Sequence, residues 1–248
     1  MYGGAMKVNY PSNHITVKDV SHAYGELPVL HNLNLTVNHG EFVVLVGPSG
    51  CGKTTLLNLL SGHIKPSSGT VEREGIIRTV YQHDGLFPWL TVSENISMGL
   101  RYITNAAQRE NELRELFQLI HLEGFENHYP HELSGGMRQR AELARVVAGE
   151  SDILLMDEPF SALDYQTRLR MRRELIRLLE QRPRTVVFVT HDIEEAAQLA
   201  NRVLVLSNRP ATICRELQID TSRPRDLTGT DVVNAMKEIL NELGLHTT

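Results

Sequence analysis

Residues Gly47 to Thr55 read GPSGCGKTT and directly follow the apolar run Phe42-Val43-Val44-Leu45-Val46. A buried strand that ends in a glycine-rich turn and opens a helix presents several backbone N–H groups at once to a polyphosphate. The helix is legible behind the turn as Leu56, Leu57, Leu59 and Leu60. Each residue type in the loop has a reason. Gly47, Gly50 and Gly52 let the backbone curl into an anion-binding nest, Lys53 reaches the β- and γ-phosphates, and the Thr54 hydroxyl suits Mg²⁺. With Pro48, Ser49, Cys51 and Thr55 completing the run, the stretch predicts a nucleoside triphosphate site.

The rest of the composition narrows what such a site serves. At 248 residues the chain is long enough for one large domain or two small ones. Its 41% apolar and 22% charged content is that of an ordinary globular protein. The net charge of −5 disfavours nucleic acid as the main partner, because phosphate backbones attract basic surfaces. No apolar run approaches the roughly 20 residues of a membrane span, and the start MYGGAMKVNYPSNH lacks a secretory pattern. The expectation is a cytoplasmic protein. Cys51 and Cys214 form neither a metal-ligand spacing nor a disulfide framework, which fits a reducing compartment.

Along the chain, Ile15, Val17 and Val20, then Leu33, Leu35 and Val37, alternate with polar residues around turn signals at Tyr24-Gly25 and Asn38-His39-Gly40. That pattern predicts antiparallel strands. Strands near 41–46, 76–81, 152–157, 185–190 and 202–207 then alternate with helical patterns, which predicts an α/β fold with a mostly parallel sheet. Between about 91 and 150 the strand pattern disappears. There Leu113, Leu116, Phe117 and Ile120 recur at helical spacing, so a helical insert is predicted. Val232, Val233, Met236, Ile239, Leu240 and Leu243 lie between Thr230-Asp231 and Gly244, the pattern of a capped terminal helix.

Further features follow the phosphate loop in order. Ile153-Leu154-Leu155-Met156 is a short apolar strand that delivers Asp157 and Glu158 at its polar end. Adjacent strand residues point to opposite sides, so two neighbouring carboxylates can serve two tasks. Asp157 would hold Mg²⁺ through water, and Glu158 would polarise the water attacking the γ-phosphate, assistance typically worth about 10²–10⁴ in rate. Leu133-Ser134-Gly135-Gly136-Met137-Arg138-Gln139-Arg140 is the second diagnostic stretch. Ser134 reads as a helix N-cap, and the glycines allow close backbone approach, which makes a second anion site. One explanation covers both sites: Ser134, Gly135 and Gly136 grip the γ-phosphate of a nucleotide bound to another copy of the chain. A head-to-tail dimer enclosing two ATP molecules follows.

Taken together these residues resemble the ATP-binding-cassette (ABC) ATPases, whose Walker A loop, LSGGQ signature and Walker B strand occur here in order over about residues 13–216. The resemblance implies a P-loop NTPase fold: a mostly parallel sheet core with an antiparallel β subdomain and a helical subdomain. It divides a single ATPase domain, 1–248, into a β and RecA-like core at about 13–90 and 151–216, a helical subdomain at about 91–150, and a tail and helix at 217–248. It further implies that Gln82 touches Mg²⁺ and the attacking water, and that Ser161-Ala162-Leu163-Asp164 joins the two sites. His191 would contact the γ-phosphate, and adenine would stack on Tyr24. Taken singly, each has an ordinary reading: Gln82 a strand-end amide, His191 a polar residue before a helix capped by Asp192 with Glu195, Tyr24 a turn tyrosine. Met137 departs from the family by replacing the signature glutamine.

GLFPWLTV at 85–92, Pro130-His131-Glu132, THDIEEA at 190–196, and the run from Arg202 to Arg223-Pro224-Arg225-Asp226 resemble the nitrate, sulfonate, taurine and bicarbonate importers. The implied function is to energise uptake of a small, often anionic solute through integral membrane permease subunits served by an extracytoplasmic binding protein. The ATPase would sit peripherally on the cytoplasmic face of the inner membrane. Phe87 and Trp89 suit either an apolar patch for a permease helix or simple core burial. The alternatives are a cassette of another transporter class, including export, or a soluble cassette of DNA repair or translation. A kinase or GTPase accounts for neither LSGGMRQR nor His191. His121, His128 and His131 share no helical face, so scattered surface histidines are favoured over a metal site.

Overall fold

A computed structural model describes residues 13–81 and 85–244. The chain runs β1 (Asn13–Tyr24), β2 (Leu27–Asn38), β3 (Phe42–Val46), α1 (Lys53–Ser61), β4 (Ser68–Arg73), β5 (Ile77–Val80), α2 (Val92–Ser97), α3 (Ala106–Leu119) and α4 (Gly135–Ala148). It continues through β6 (Ile153–Asp157), α5 (Tyr165–Gln181), β7 (Thr185–Val189), α6 (Ile193–Leu199), β8 (Arg202–Leu206), β9 (Ile213–Gln218) and α7 (Thr230–Glu242).

Strand burial explains the layering. Every residue of β3, β6, β7 and β8 is buried, as interior strands covered on both faces require. They lie in a six-stranded sheet of order β5-β6-β7-β3-β8-β9, parallel except for the antiparallel β8–β9 pair. Alternate side chains face opposite ways. Phe42, Val44, Val46, Leu154, Met156, Val186 and Phe188 therefore enter one core with the helices around 92–148 and α5 to α7. Val43, Leu45, Ile153, Leu155, Val187 and Val189 enter a second core with α1 and the antiparallel sheet. Each such side chain contributes roughly 1.5–3 kcal/mol by leaving water.

The antiparallel sheet has order β2-β1-β4, and its pairs Ile15↔Val37, Val17↔Leu35 and Val20↔Leu33 match the predicted alternation. β4 and β9 were not legible in the sequence. β4 has no buried side chain and β9 has one, Leu217, so neither carries an alternating pattern.

Between β5 and β6 the elements are helical, as predicted. Thr91 and Glu94 close a capping box on α2. The fully buried Asn95 amide holds the Phe87 N–H at 2.8 Å and donates to the Phe87, Leu90 and Thr91 carbonyls at 3.0–3.1 Å, which fixes the preceding turn.

The terminal helix forms and starts at Thr230 as expected, but without the expected side-chain cap. Gly229 is the N-cap and no side chain caps the helix. Asp231 instead accepts the Thr221 hydroxyl at 2.9 Å, so a tertiary contact takes the carboxylate away from the helix end. The preceding segment is pinned to α6 by arginines. Arg225 donates to the carbonyls of Ala197, Gln198, Ala200, Ile219 and Thr221 at 2.6–3.4 Å. Burial pulls its pKa down to about 10, with Arg223 adding to the shift, so it keeps its charge at neutral pH. Arg223 donates to the Leu199 carbonyl and lies 5.4 Å from the Phe42 ring centroid.

Candidate active site

Parallel pairing of β6, β7 and β3 brings their C-terminal ends side by side, the edge at which open α/β sheets bind ligands. The phosphate loop leaves β3 there, Asp157 ends β6, and His191 follows β7. Gly50 and Gly52 have φ of 73° and 122°. A Cβ on Gly52 would stand 2.8 Å from Leu30 Cδ2, so the left-handed turn and the close approach to β2 both demand glycine. The Cys51 N–H reaches the Pro48 carbonyl at 3.2 Å, tightening the loop.

At the head of α1 the first helical donor is the Leu56 N–H, 2.8 Å from the Gly52 carbonyl, which leaves the N–H groups of Lys53, Thr54 and Thr55 ahead of it. No side chain caps this end. Lys53 Nζ lies 2.8 Å from the Gly47 carbonyl and 3.0 Å from that of Pro48, so a buried cation sits over the loop itself. The Cys51 thiol is pushed up by burial, against the opposing pull of Lys53. A curled backbone, bare helix N–H groups and one ammonium fit a polyphosphate.

The two neighbouring carboxylates stand on backbone of different conformation. Asp157 completes β6 and is 3% exposed. Glu158 has already left the strand: its φ is 47° and its N–H donates to the Val189 carbonyl at 3.0 Å. A left-handed non-glycine residue costs of order 1–3 kcal/mol and persists only where its surroundings impose it. The expected strand alternation therefore does not extend to Glu158, which sits in a backbone turn. Glu158 Oε2 lies 3.2 Å from His191 Nδ1. Thr54 is exposed and Asp157 buried, an oxygen donor pair compatible with Mg²⁺, which takes few protein ligands and completes its shell with water and phosphate. Among the described residues no cluster of three or more His, Cys, Asp or Glu could hold a metal.

Ser134 caps α4 as predicted, its Oγ accepting the Met137 N–H at 3.3 Å. Gly135 is exposed, and a Cβ on Gly136 would lie 3.3 Å from the Ala162 carbonyl. One residue to which the sequence assigns no role joins this helix to the turn after β6. Gln139, 7% exposed, donates to the Glu158 carbonyl at 3.2 Å and the Ser161 hydroxyl at 3.4 Å, and accepts the Ala162 N–H at 3.0 Å. Its only sequence signal was its place within LSGGMRQR.

Asp164 caps α5 by accepting the Thr167 N–H at 3.0 Å, and hydrogen bonds from the Thr167 hydroxyl and then its N–H hold the carboxyl below the usual range. Asp192 caps α6 at Glu194 and Glu195, whereas Glu195 turns inward to Thr190 and Arg172 and closes no capping box. Tyr24, 51% exposed, ends β1 with His22 edge-on to its ring at 4.8 Å. Gln82 lies outside the described residues. Trp89 is 69% exposed, which removes the core-burial reading for its ring. Phe87 beside it is half-buried under Arg145 and lines a groove of about 790 Å³ with Tyr81, Tyr102, Arg78 and Arg101.

Comparison with known proteins gives the following. Residues 30–161 match the family model described as ABC transporter. An aliphatic sulfonates import ATP-binding protein, SsuB 1 of Rhodococcus jostii, is 43% identical over 90% of this chain and 91% of its own length. The nitrate import ATP-binding protein NrtD of Synechocystis is 41% identical over 87% of each chain. Among solved structures, the dimeric post-hydrolysis state of the ATP-binding cassette MJ0796 bound to ADP and Pi superposes with a TM-score of 0.75. It is 33% identical and covers 84% of this chain and all of that one.

Proposed function

The chain belongs to the ABC transporter family as an ATP-hydrolysing import cassette, and from that premise we propose that it energises uptake of a small anionic nitrogen- or sulfur-containing solute through separate membrane subunits. Support for the solute class comes from its similarity to sulfonate and nitrate import proteins. Among the described residues no helix is long and apolar enough to cross a membrane; the path for the solute is assigned to partner permeases, a reading supported by the import relatives. The cassette sits peripherally on the cytoplasmic face of the membrane, and a binding protein on the other side delivers the solute. The groove lined by Phe87, Tyr81 and Tyr102 would offer the permease a concave, partly apolar surface. We divide the domain as the sequence indicates, with 91–150 as the helical subdomain.

In the mechanism we propose, Lys53 swings its ammonium from the Gly47 and Pro48 carbonyls onto the β- and γ-phosphates of ATP. Gly47 to Thr55 supply the backbone donors, and adenine rests on Tyr24. Thr54, Asp157 and Gln82 would hold Mg²⁺, which supplies charge neutralisation of the phosphates when bound. Glu158 Oε2 accepts a proton from the attacking water, and His191 orients that carboxylate and reaches the γ-phosphate. Ser134, Gly135 and Gly136 of a second copy close the pocket, while Asp164 and its turn join the two sites.

The observation that carries this reading is Glu158, held in a left-handed turn at the sheet edge with its carboxylate against His191. Glu158→Gln should retain ATP binding, lower turnover by 10²-fold or more and accumulate an ATP-bound dimer on gel filtration. Undiminished hydrolysis by that variant would remove Glu158 from the chemistry.

A further inference from the structure

The His191 ring pairs with Glu158, and its side chain is 64% exposed. The residues on either side of it are held far more firmly. Thr190 is 2% exposed; its N–H donates to the Leu45 carbonyl at 3.2 Å and its hydroxyl to Glu195 Oε2 at 2.6 Å, while also accepting the Asp192 N–H at 2.9 Å. Asp192 Oδ1 caps α6, and Asp192 Oδ2 accepts Arg168 Nη1 at 2.9 Å and Arg172 Nη2 at 2.8 Å. Burial alone would raise the Asp192 carboxyl, but these guanidiniums outweigh it and hold the group below its usual range.

The two arginines differ in what else they touch. Arg172 is 1% exposed, and its other partners, Glu194, Glu195 and Gln198, all lie on α6. Arg168, one turn earlier, also donates from Nη2 to the Leu163 carbonyl at 3.2 Å. Leu163 belongs to the Ser161–Asp164 turn, and Asp164 caps the helix that carries Arg168. One planar fork thus spans two loops, with one prong on the carbonyl of the first and the other on the carboxylate beside the histidine of the second. A rigid bidentate group transmits displacement between its acceptors, which a flexible ammonium does poorly.

We propose that Arg168 is a positioning residue that ties the Ser161–Asp164 turn to the turn bearing His191, so that where the first turn settles on dimer closure sets where the imidazole stands. The proposal rests on the catalytic reading above, in which His191 serves the γ-phosphate and the Ser161–Asp164 turn lies between the two sites. Gln139 ties the same turn to the signature helix and the Glu158 carbonyl, so the Arg168 bridge extends that linkage to the switch histidine. Arg172 anchors α5 to α6, and Arg168 is the member of the pair that reaches across.

The test compares Arg168→Gln and Arg168→Lys with the parent in steady-state ATPase assays, together with Glu158→Gln as a control. Both Arg168 variants should lose at least tenfold in kcat with KM for ATP within twofold. In a Glu158→Gln background, Arg168→Gln should still form the ATP-dependent dimer with an affinity within threefold. A merely structural role would weaken nucleotide affinity and dimer formation together with turnover. Arg168→Lys keeps the charge beside Asp192 and carries the test if Arg168→Gln does not fold. Parental kcat in either variant overturns the bridge, since charge alone would then suffice or the contact would be idle. If Glu158→Gln itself hydrolyses normally, the catalytic reading fails. If Glu158→Gln is inactive while Arg168→Gln is normal, only the positioning role fails.

Discussion

The heads of α1 and α4 both stand where the sequence marks an anion site, yet they are finished differently. α1 opens from Gly52 with no side chain over its first N–H groups, whereas the Ser134 hydroxyl already occupies the Met137 N–H of α4. A helix end needs partners for its leading donors, from its own side chains or from elsewhere. α1 leaves that role to a ligand held within the same chain, with Lys53 beside it. α4 has one of its leading N–H groups taken by its own serine, and in the proposed mechanism its phosphate contact is added when another copy arrives. On the proposed mechanism the difference separates binding, which belongs to one subunit, from turnover, which requires two.

The sharpest way to break that division is at α1. Gly52→Ala places a Cβ 2.8 Å from Leu30 Cδ2 at a φ of 122°, a strain of about 2–3 kcal/mol. ATP affinity should fall by 10²-fold or more in a fluorescent-nucleotide titration, with a lower Tm; unchanged affinity would show that the loop tolerates another path.

Ser134→Ala should act on the other half alone. Losing the cap costs about 1 kcal/mol, ATP binding to the monomer should stay within twofold, and turnover should drop by about tenfold or more. Weakened monomer binding in this variant would erase the distinction between the two helix heads.

The smallest effect sharpens the comparison through pH. The Cys51 thiol, raised by burial, holds less thiolate at any given pH than an ordinary thiol, and thiolate is the species that alkylates. Iodoacetamide at pH 7.5 should therefore modify exposed Cys214 several-fold faster than buried Cys51, read by mass spectrometry. The Cys51 rate should keep rising above pH 9, in step with its raised pKa.

What the sequence revealed was local. GPSGCGKTT specifies its own turn, Ser134 its own cap, and the alternation at Ile15, Val17 and Val20 its own pairing. What it concealed depends on distant neighbours. Glu158 bends into the left-handed region where its N–H meets the Val189 carbonyl, a partner 31 positions on that no local pattern announces. Gln139 finds its acceptors across a loop, and Asp231 leaves the start of α7 for Thr221. β4 and β9 escaped because burying one side chain or none gives no period to read.

The five carbonyls gathered by Arg225 carry a practical corollary for handling the protein. A shortened polypeptide that stopped ahead of residue 223 would strip the cover from Ala197, Gln198 and Ala200, the exit of the helix that follows His191. Affinity tags and fusion partners therefore belong after residue 244, as additions to the tail and not as replacements for it.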